Sequence, residues 1–409
     1  MSKIRRNLFY NTLLTSAYYV FPLIVYPYVS RVLGVSNIGL VGFIDSIATY
    51  FILFSMMGIS IVGTREIARA GADLATRRNA FASLLSLHSV MTVATLAVMA
   101  AATFLVPQLR AQLPMMGVGM CKLVFNLFLI EWFYRGIEDF KFITIRTILV
   151  RACYVGAVFI FVRKAEDTFI YYFLTMTVVA VTAAINTAES RRFLGRGKVR
   201  ISIGKYLKPF FTLGVYELLA ASYSTLNAAF LGFVSDDTEV GYYTTAAKVI
   251  SILTMIYISF SGVLLPRMSS LVAEGNTEIF RKYFRKTFKF VFLFSVPVIA
   301  IIEIFAPEVI MLLSGPGYEG AVVPLRIMMP FLLVLGLEQL FTVQTLMPMG
   351  RETLIMKITV IAAMAGILLN VILVPRLGAI GSACVWGGAE TAILISASFF
   401  LRKTLIKLC

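Results

Sequence analysis

The feature that most limits this chain is a recurrence of apolar stretches about twenty residues long or longer, parted by short polar segments. The hydrocarbon core of a bilayer is about 30 Å thick, and a helix needs about 20 apolar residues to cross it. Hydropathy and the placing of charges and turn residues predict spans near 8–31, 38–62, 81–106, 115–134, 143–162 and 168–188. A second set is predicted near 209–234, 241–265, 287–306, 322–346, 354–374 and 379–401. Twelve crossings take roughly 240 of the 409 residues and leave no room for a large extramembrane domain. The composition agrees, with 59% hydrophobic and 14% charged residues and a mean hydropathy of +0.88. A soluble domain is about 45–50% apolar and about 25% charged, so a soluble enzyme is excluded. The expected fold is an all-α polytopic membrane protein of about twelve transmembrane helices in two six-helix lobes around a central cavity. Met1–Asn7 is short and basic, and the apolar segment behind it is too long for a cleavable signal, so it reads as a retained first span.

The basic residues sort by side. Lysine plus arginine is 37 against 21 acidic residues, a net charge of +16. With the N-terminus inside, 28 of the bases fall on inner segments, six on outer segments, and Lys122, Arg151 and Lys248 inside spans. Short loops rich in Lys and Arg stay on the cytoplasmic side, so both termini are expected there. The charge therefore reflects topology rather than nucleic-acid binding. The longest basic loop, Glu189–Lys208, falls near the middle of the chain. It divides an N-terminal six-helix lobe, 1–188, from a C-terminal one, 209–409, with 189–208 as a basic cytoplasmic linker. A shift of 202 residues sets Gly39 on Gly241 and Arg65 on Arg267, which points to a weak internal repeat. Six crossings per half would relate the repeats by a two-fold axis along the membrane normal.

Charges at bilayer depth are costly unless they face a wet cavity or a partner. Asp45, Lys122 and Lys248 each lie about seven residues into a span descending from the outer face, about 10 Å deep at 1.5 Å per residue. Lysine can snorkel from such a depth, yet lysines from both halves at one level are better explained by a shared cavity. Arg31 closes the first span at the outer face, where anchoring and a cavity role are both open. Arg151 reads as a snorkelling residue one turn inside its span. Glu217, Glu338 and Glu390 also lie within spans, either as fixed partners of lysines or as groups that titrate or bind a cation. Metal and enzyme chemistry find no parts: His88 is the only histidine, the four cysteines are scattered, and there is no phosphate-cradling glycine loop. Asp236–Asp237 sits in a very short loop and reads as a solvated turn.

Three stretches resemble a known family. FPLIVYPYVSRVLGVSNIGLVGFIDSIATYFILFSMMGISIVGTREIA (Phe21–Ala68), YRGIEDFKFITIR (Tyr134–Arg146) and VGYYTTAAKVISIL (Val240–Leu253) are similar to segments of Wzx-type polysaccharide flippases. These belong to the multidrug/oligosaccharidyl-lipid/polysaccharide exporter superfamily. The resemblance implies a V-shaped pair of lobes in the bacterial inner membrane. It also implies transfer of undecaprenyl-diphosphate-linked oligosaccharide to the outer leaflet by alternating access, for O-antigen, capsule or exopolysaccharide. Arg31 and Lys248, which lie in matched stretches, and Lys122, on its depth alone, are the expected substrate-binding residues. Asp45 and Glu217 are expected to couple transport to an H+ or Na+ gradient, and Arg65 with Glu66 to form a gate or ion pair at the cytoplasmic mouth. No cofactor or metal is expected, and polymerase and chain-length proteins of the same pathway are the expected partners. Two alternatives stand beside this reading: a cation-coupled drug antiporter of the same superfamily, and a non-transporting scaffold of the assembly complex.

Overall fold

The apolar runs become helices whose ends are set by ordinary capping chemistry. The computed structural model describes residues 3–195, 197–223 and 225–408, and every regular element among them is helical. In chain order these are α1 (Lys3–Leu33), α2 (Val35–Met56), α3 (Ile59–Ala70), α4 (Leu74–Leu105), α5 (Pro107–Ala111) and α6 (Leu113–Asn126). Next come α7 (Glu131–Gly136), α8 (Phe140–Phe161), α9 (Thr168–Leu194), α10 (Gly204–Ser222), α11 (Thr225–Val234) and α12 (Asp237–Ala273). The last are α13 (Thr277–Ile304), α14 (Ala306–Ser314), α15 (Val322–Met328), α16 (Phe331–Phe341) and α17 (Glu352–Leu408). Asp73, Asp139, Asp236 and Asn276 cap α4, α8, α12 and α13 by accepting from backbone N–H groups two or three residues on. The expected turn at Asp236–Asp237 is thus the start of a helix.

Among the described residues, nine helices are long and apolar enough to cross a membrane, and ten if the pair Glu319–Met328 and Phe331–Leu346, bent by 41°, counts as one span. The difference from twelve lies at two places. The span expected over 209–234 is divided between α10 and α11. The two expected over 354–374 and 379–401 run together in a 51-residue stretch, Glu352–Arg402. That stretch turns at Gly378, whose φ of 53° and ψ of −129° are not helical. The bend before Phe331 follows from Pro330, which lacks the N–H that would continue the ladder.

Two compact units share the chain. The first comprises residues 1–34 and 44–221, the second 35–43 and 222–409. The division thus falls beyond the linker expected at 189–208, with α10 in the first unit and the opening turns of α2 in the second. In the first unit α1 packs on α8, α3 on α4 and α7, and α6 on α9. Its core gathers Ile59, Leu84, Trp132, Phe133, Tyr134 and Phe210. In the second unit α12 packs on α15 and α16, and α17 packs on α11 and α16, around Met268, Phe284, Leu340 and Ile358. Outward faces carry apolar side chains such as Leu105, Val263, Leu293 and Phe399, as lipid contact requires.

One contact in the second unit is reciprocal. A methyl group on Gly39 would collide with the Asp237 carbonyl and come within 2.7 Å of the Gly241 nitrogen. A methyl group on Gly241 would in turn meet Val35. The 202-residue shift exchanges Val35 with Asp237 and Gly39 with Gly241, so the repeat-related glycines are the residues that let α2 and α12 touch backbone to backbone.

Candidate functional site

Span four does not run through. Helix α6 ends at Asn126, Ile130 takes a left-handed conformation (φ 36°, ψ 32°), and α7 restarts at Glu131. A break at this depth frees backbone groups, and a neighbour must satisfy them. Asn186 of α9 does so: its side-chain amide N–H donates to the Leu129 carbonyl, while its backbone carbonyl accepts from the Tyr134 hydroxyl. The break displays charged side chains on either side of it.

Before the break, Lys122 meets Asp45. The ammonium lies 2.5 Å from Asp45 Oδ1 and 4.5 Å from the centre of the Tyr172 ring. Lys122 is 8% exposed as a residue, whereas the Asp45 side chain is 45% exposed. The structure therefore joins two residues to which the sequence reading gave separate roles, one substrate-binding and one coupling. The pairing offsets the cost of placing an ammonium at this depth, and the aromatic face adds to it.

After the break, Glu131 collects a network that sequence reasoning missed. Arg146 Nη2 lies 3.0 Å from Glu131 Oε1, the Tyr18 hydroxyl donates to the same oxygen at 3.1 Å, and Arg135 stands 4.0 Å from Oε2. Arg151, expected to snorkel, instead lies 4.5 Å above the Tyr18 ring. The signal was present: Arg135 and Arg146 lie within the Tyr134–Arg146 motif, and Glu131 precedes it by three residues. What sequence could not supply was that a helix break turns this carboxylate toward α1 and α8.

Of the remaining candidates, Arg65 and Glu66 are adjacent on α3 with 3.6 Å between Nε and Oε1. Glu66 has closer partners in Arg69 at 3.0 Å and Lys205, from the start of α10, at 3.3 Å. The hydrogen bond to Glu66 holds the Lys205 ammonium above its ordinary pKa. The expected pair is thus the edge of a larger cluster that ties α3 to α10. Arg31 is exposed at the last turn of α1, where its guanidinium donates to the Pro27 carbonyl at 2.5 Å. Glu217 is half-buried on α10, and Lys248 is half-buried on α12 in the second unit. Glu338 and Glu390 lie within hydrogen-bond reach of each other, so Glu390 faces a second carboxyl rather than the lysine considered from sequence.

Comparison with known proteins places this architecture. Residues 4–272 match the polysaccharide biosynthesis protein family, about two thirds of the chain. The chain belongs to that family. Residues 213–372 also match the MatE family. A putative O-antigen transporter of Escherichia coli (strain K12) is 26% identical over 409 residues, covering 99% of this chain and 98% of the relative. A putative O-antigen transporter of Shigella dysenteriae is 23% identical over 92% of this chain and 95% of its own. Among solved structures, the lipid II flippase MurJ in an inward closed conformation superposes with a TM-score of 0.78 at 12% identity, covering 98% of this chain and 89% of that one. An inward-facing multidrug resistance MATE transporter gives 0.72 at 16% identity, covering 95% and 94%. The protein is a Wzx-type member of the multidrug/oligosaccharidyl-lipid/polysaccharide exporter superfamily, a multi-pass membrane transporter of polysaccharide biosynthesis.

Proposed function

We propose that this family member is a flippase. It carries undecaprenyl-diphosphate-linked oligosaccharide repeat units from the cytoplasmic to the outer leaflet of the bacterial inner membrane by alternating access, with both termini cytoplasmic. The observation that carries the reading is similarity over essentially the whole chain to proteins named as putative O-antigen transporters. The intramembrane cations agree with an anionic cargo, because a diphosphate is favoured by ammonium and guanidinium groups in a medium of low dielectric. Lys248, Lys122 and Arg31 receive the diphosphate and acidic sugars. The half-exposed Asp45 answers Lys122 and, with Glu217, couples transport to an H+ or Na+ gradient. The cluster around Glu66 serves as the inner gate, and the repeat units pass onward to polymerase and chain-length proteins.

The MatE match favours a second reading, a cation-coupled drug antiporter. Cationic drugs call for acidic or aromatic contacts, and lysines at mid-depth disfavour them. One experiment separates the two. In cells depleted of the protein and lacking a redundant flippase, an outer-side probe reports whether lipid-linked repeat units reach the outer face. Trapping on the inner leaflet is expected; undiminished outer labelling overturns the flippase reading and leaves the antiporter.

A further inference from the structure

The break in span four opens a cavity of about 630 Å³ inside the first unit, within the range of small-molecule sites. Helices α3, α4 and α7 and the ends of α2 and α6 wall it, and Met56, Ile61, Ile130 and Trp132 give it an apolar lining. Three polar atoms of the wall have no hydrogen-bond partner among the described residues. Both ring nitrogens of His88 (2% exposed) and Oδ1 of Asn126 (9% exposed) are buried without a hydrogen bond. Buried polar groups nearly always find a partner, so these mark where a ligand or water with donors and acceptors belongs.

Two arginines complete the lining. The side chains of Arg65 and Arg135 are 44% and 41% exposed. Each reaches its nearest carboxylate only loosely, Arg65 to Glu66 at 3.6 Å and Arg135 to Glu131 at 4.0 Å. Both carboxylates have tighter partners elsewhere, Glu66 in Arg69 and Glu131 in Arg146. The guanidinium forks therefore keep donors for an anion, and their planar geometry suits phosphate oxygens. An alkyl chain alone would leave His88 and Asn126 unpaired, and a cation would face two arginines against one lining carboxylate, Glu131, whose charge Arg146 already answers at 3.0 Å. A phosphate carrying a hydroxylated group satisfies both ends.

We propose that this cavity binds a phosphorylated polyol headgroup, with the phosphate on Arg65 and Arg135 and the hydroxyls on His88 and Asn126 against Trp132. Two lipids share that chemistry: a prenyl-diphosphate-linked sugar, and an anionic phospholipid with a polyol headgroup. Assignment to the cargo rests on the transport function proposed above; the headgroup chemistry does not.

The protein's two tryptophans make the test direct, since Trp132 lines the cavity and Trp386 lies in the second unit. In the purified Trp386→Phe protein, Trp132 emission is titrated with farnesyl-diphosphate-linked N-acetylglucosamine, dioctanoyl phosphatidylglycerol and dioctanoyl phosphatidylcholine. A saturable change is expected with one or both of the first two, with affinity at least tenfold weaker in Arg135→Gln and in Asn126→Leu. Arg135 is exposed, so its variant remains informative should Asn126→Leu not fold. A response to the prenyl sugar supports a cargo site, and a response to phosphatidylglycerol alone supports a resident lipid site. No saturable response, an equal response to phosphatidylcholine, or unchanged affinity in Arg135→Gln overturns the proposal. Loss of binding with intact leaflet transfer removes this site and spares the flippase reading. Binding with transfer independent of the protein does the reverse.

Discussion

Asp45 and Lys122 form an unequal pair, and the inequality can be measured. Replacing Asp45 by Asn removes the counter-charge and leaves the Lys122 ammonium buried at 8% exposure beside a neutral amide and the Tyr172 face. Removing one partner of a buried pair costs about 3–5 kcal/mol, and the remaining ring puts this case near about 3 kcal/mol. Replacing Lys122 by Met leaves a carboxylate that is 45% exposed, where solvent screening reduces the loss to about 0–1 kcal/mol. At about 2–4 °C per kcal/mol for a body of this size, Asp45→Asn lowers the melting temperature by about 6–12 °C and Lys122→Met by at most about 4 °C. The double variant has no stranded charge and recovers most of the difference. The assay is thermal denaturation of the purified protein in detergent, read as a double-mutant cycle. In cells the double variant is expected to accumulate normally yet fail to export polysaccharide, since the proposed role of Lys122 is to receive the anionic cargo. Equal losses in the single variants, or strict additivity in the double, would refute the reasoning from burial. Normal export by the double variant would remove Lys122 from transport.

Further outcomes follow from other residues. Lys248→Ala is expected to abolish surface polysaccharide while membrane expression persists, measured by immunoblot of both; normal export would exclude Lys248 from the mechanism. Gly39→Val should separate α2 from α12 and destabilise the protein by about 1–3 kcal/mol through overpacking, seen as a lower melting temperature than Gly42→Ala gives. Asp73 is held below its usual carboxylate pKa by hydrogen bonds from the Thr76 hydroxyl and the Ala75 and Thr76 amides. Its capping contribution is therefore present above the ordinary pKa and is lost as pH falls through the lowered folded-state value. Hydrogen exchange at the start of α4 should accelerate in Asp73→Ala at neutral pH, and the gap between variant and parent should close in strong acid.

The class of fold was legible in the apolar runs, because bilayer thickness sets helix length directly. The glycine pair found by the 202-residue shift proved to be a helix contact, since small residues are kept where backbones must approach. Other features were hidden for physical reasons. Residues through Pro375 and Arg376 stay helical, so the expected spans 354–374 and 379–401 share one element, although the turn at Gly378 falls inside the expected gap. The division between α10 and α11 leaves no mark in an apolar window. Among the site residues, depth counted along each span put Asp45 and Lys122 at one level, but a depth count carries no angle about the helix axis. That missing angle decides that they face each other. The Glu131 network escaped because it depends on a break whose repair is supplied by Asn186, more than fifty residues downstream.

The charges flanking that break also bear on how the chain enters the membrane. Span Leu113–Gly136 carries Lys122, Glu131 and Arg135, and a lysine near the centre of a helix adds about 2.5–3.5 kcal/mol to its insertion. Asp45 is already synthesised when this span emerges, so the lysine has its counter-ion waiting. Glu131 has none of comparable closeness, because Arg146 follows it by fifteen residues. A nascent chain cut at residue 139 should leave span four slipping out of the translocon, and one extended beyond Arg146 should hold it. The bilayer then accepts spans four and five as a hairpin, and the order of synthesis becomes part of how the site is built.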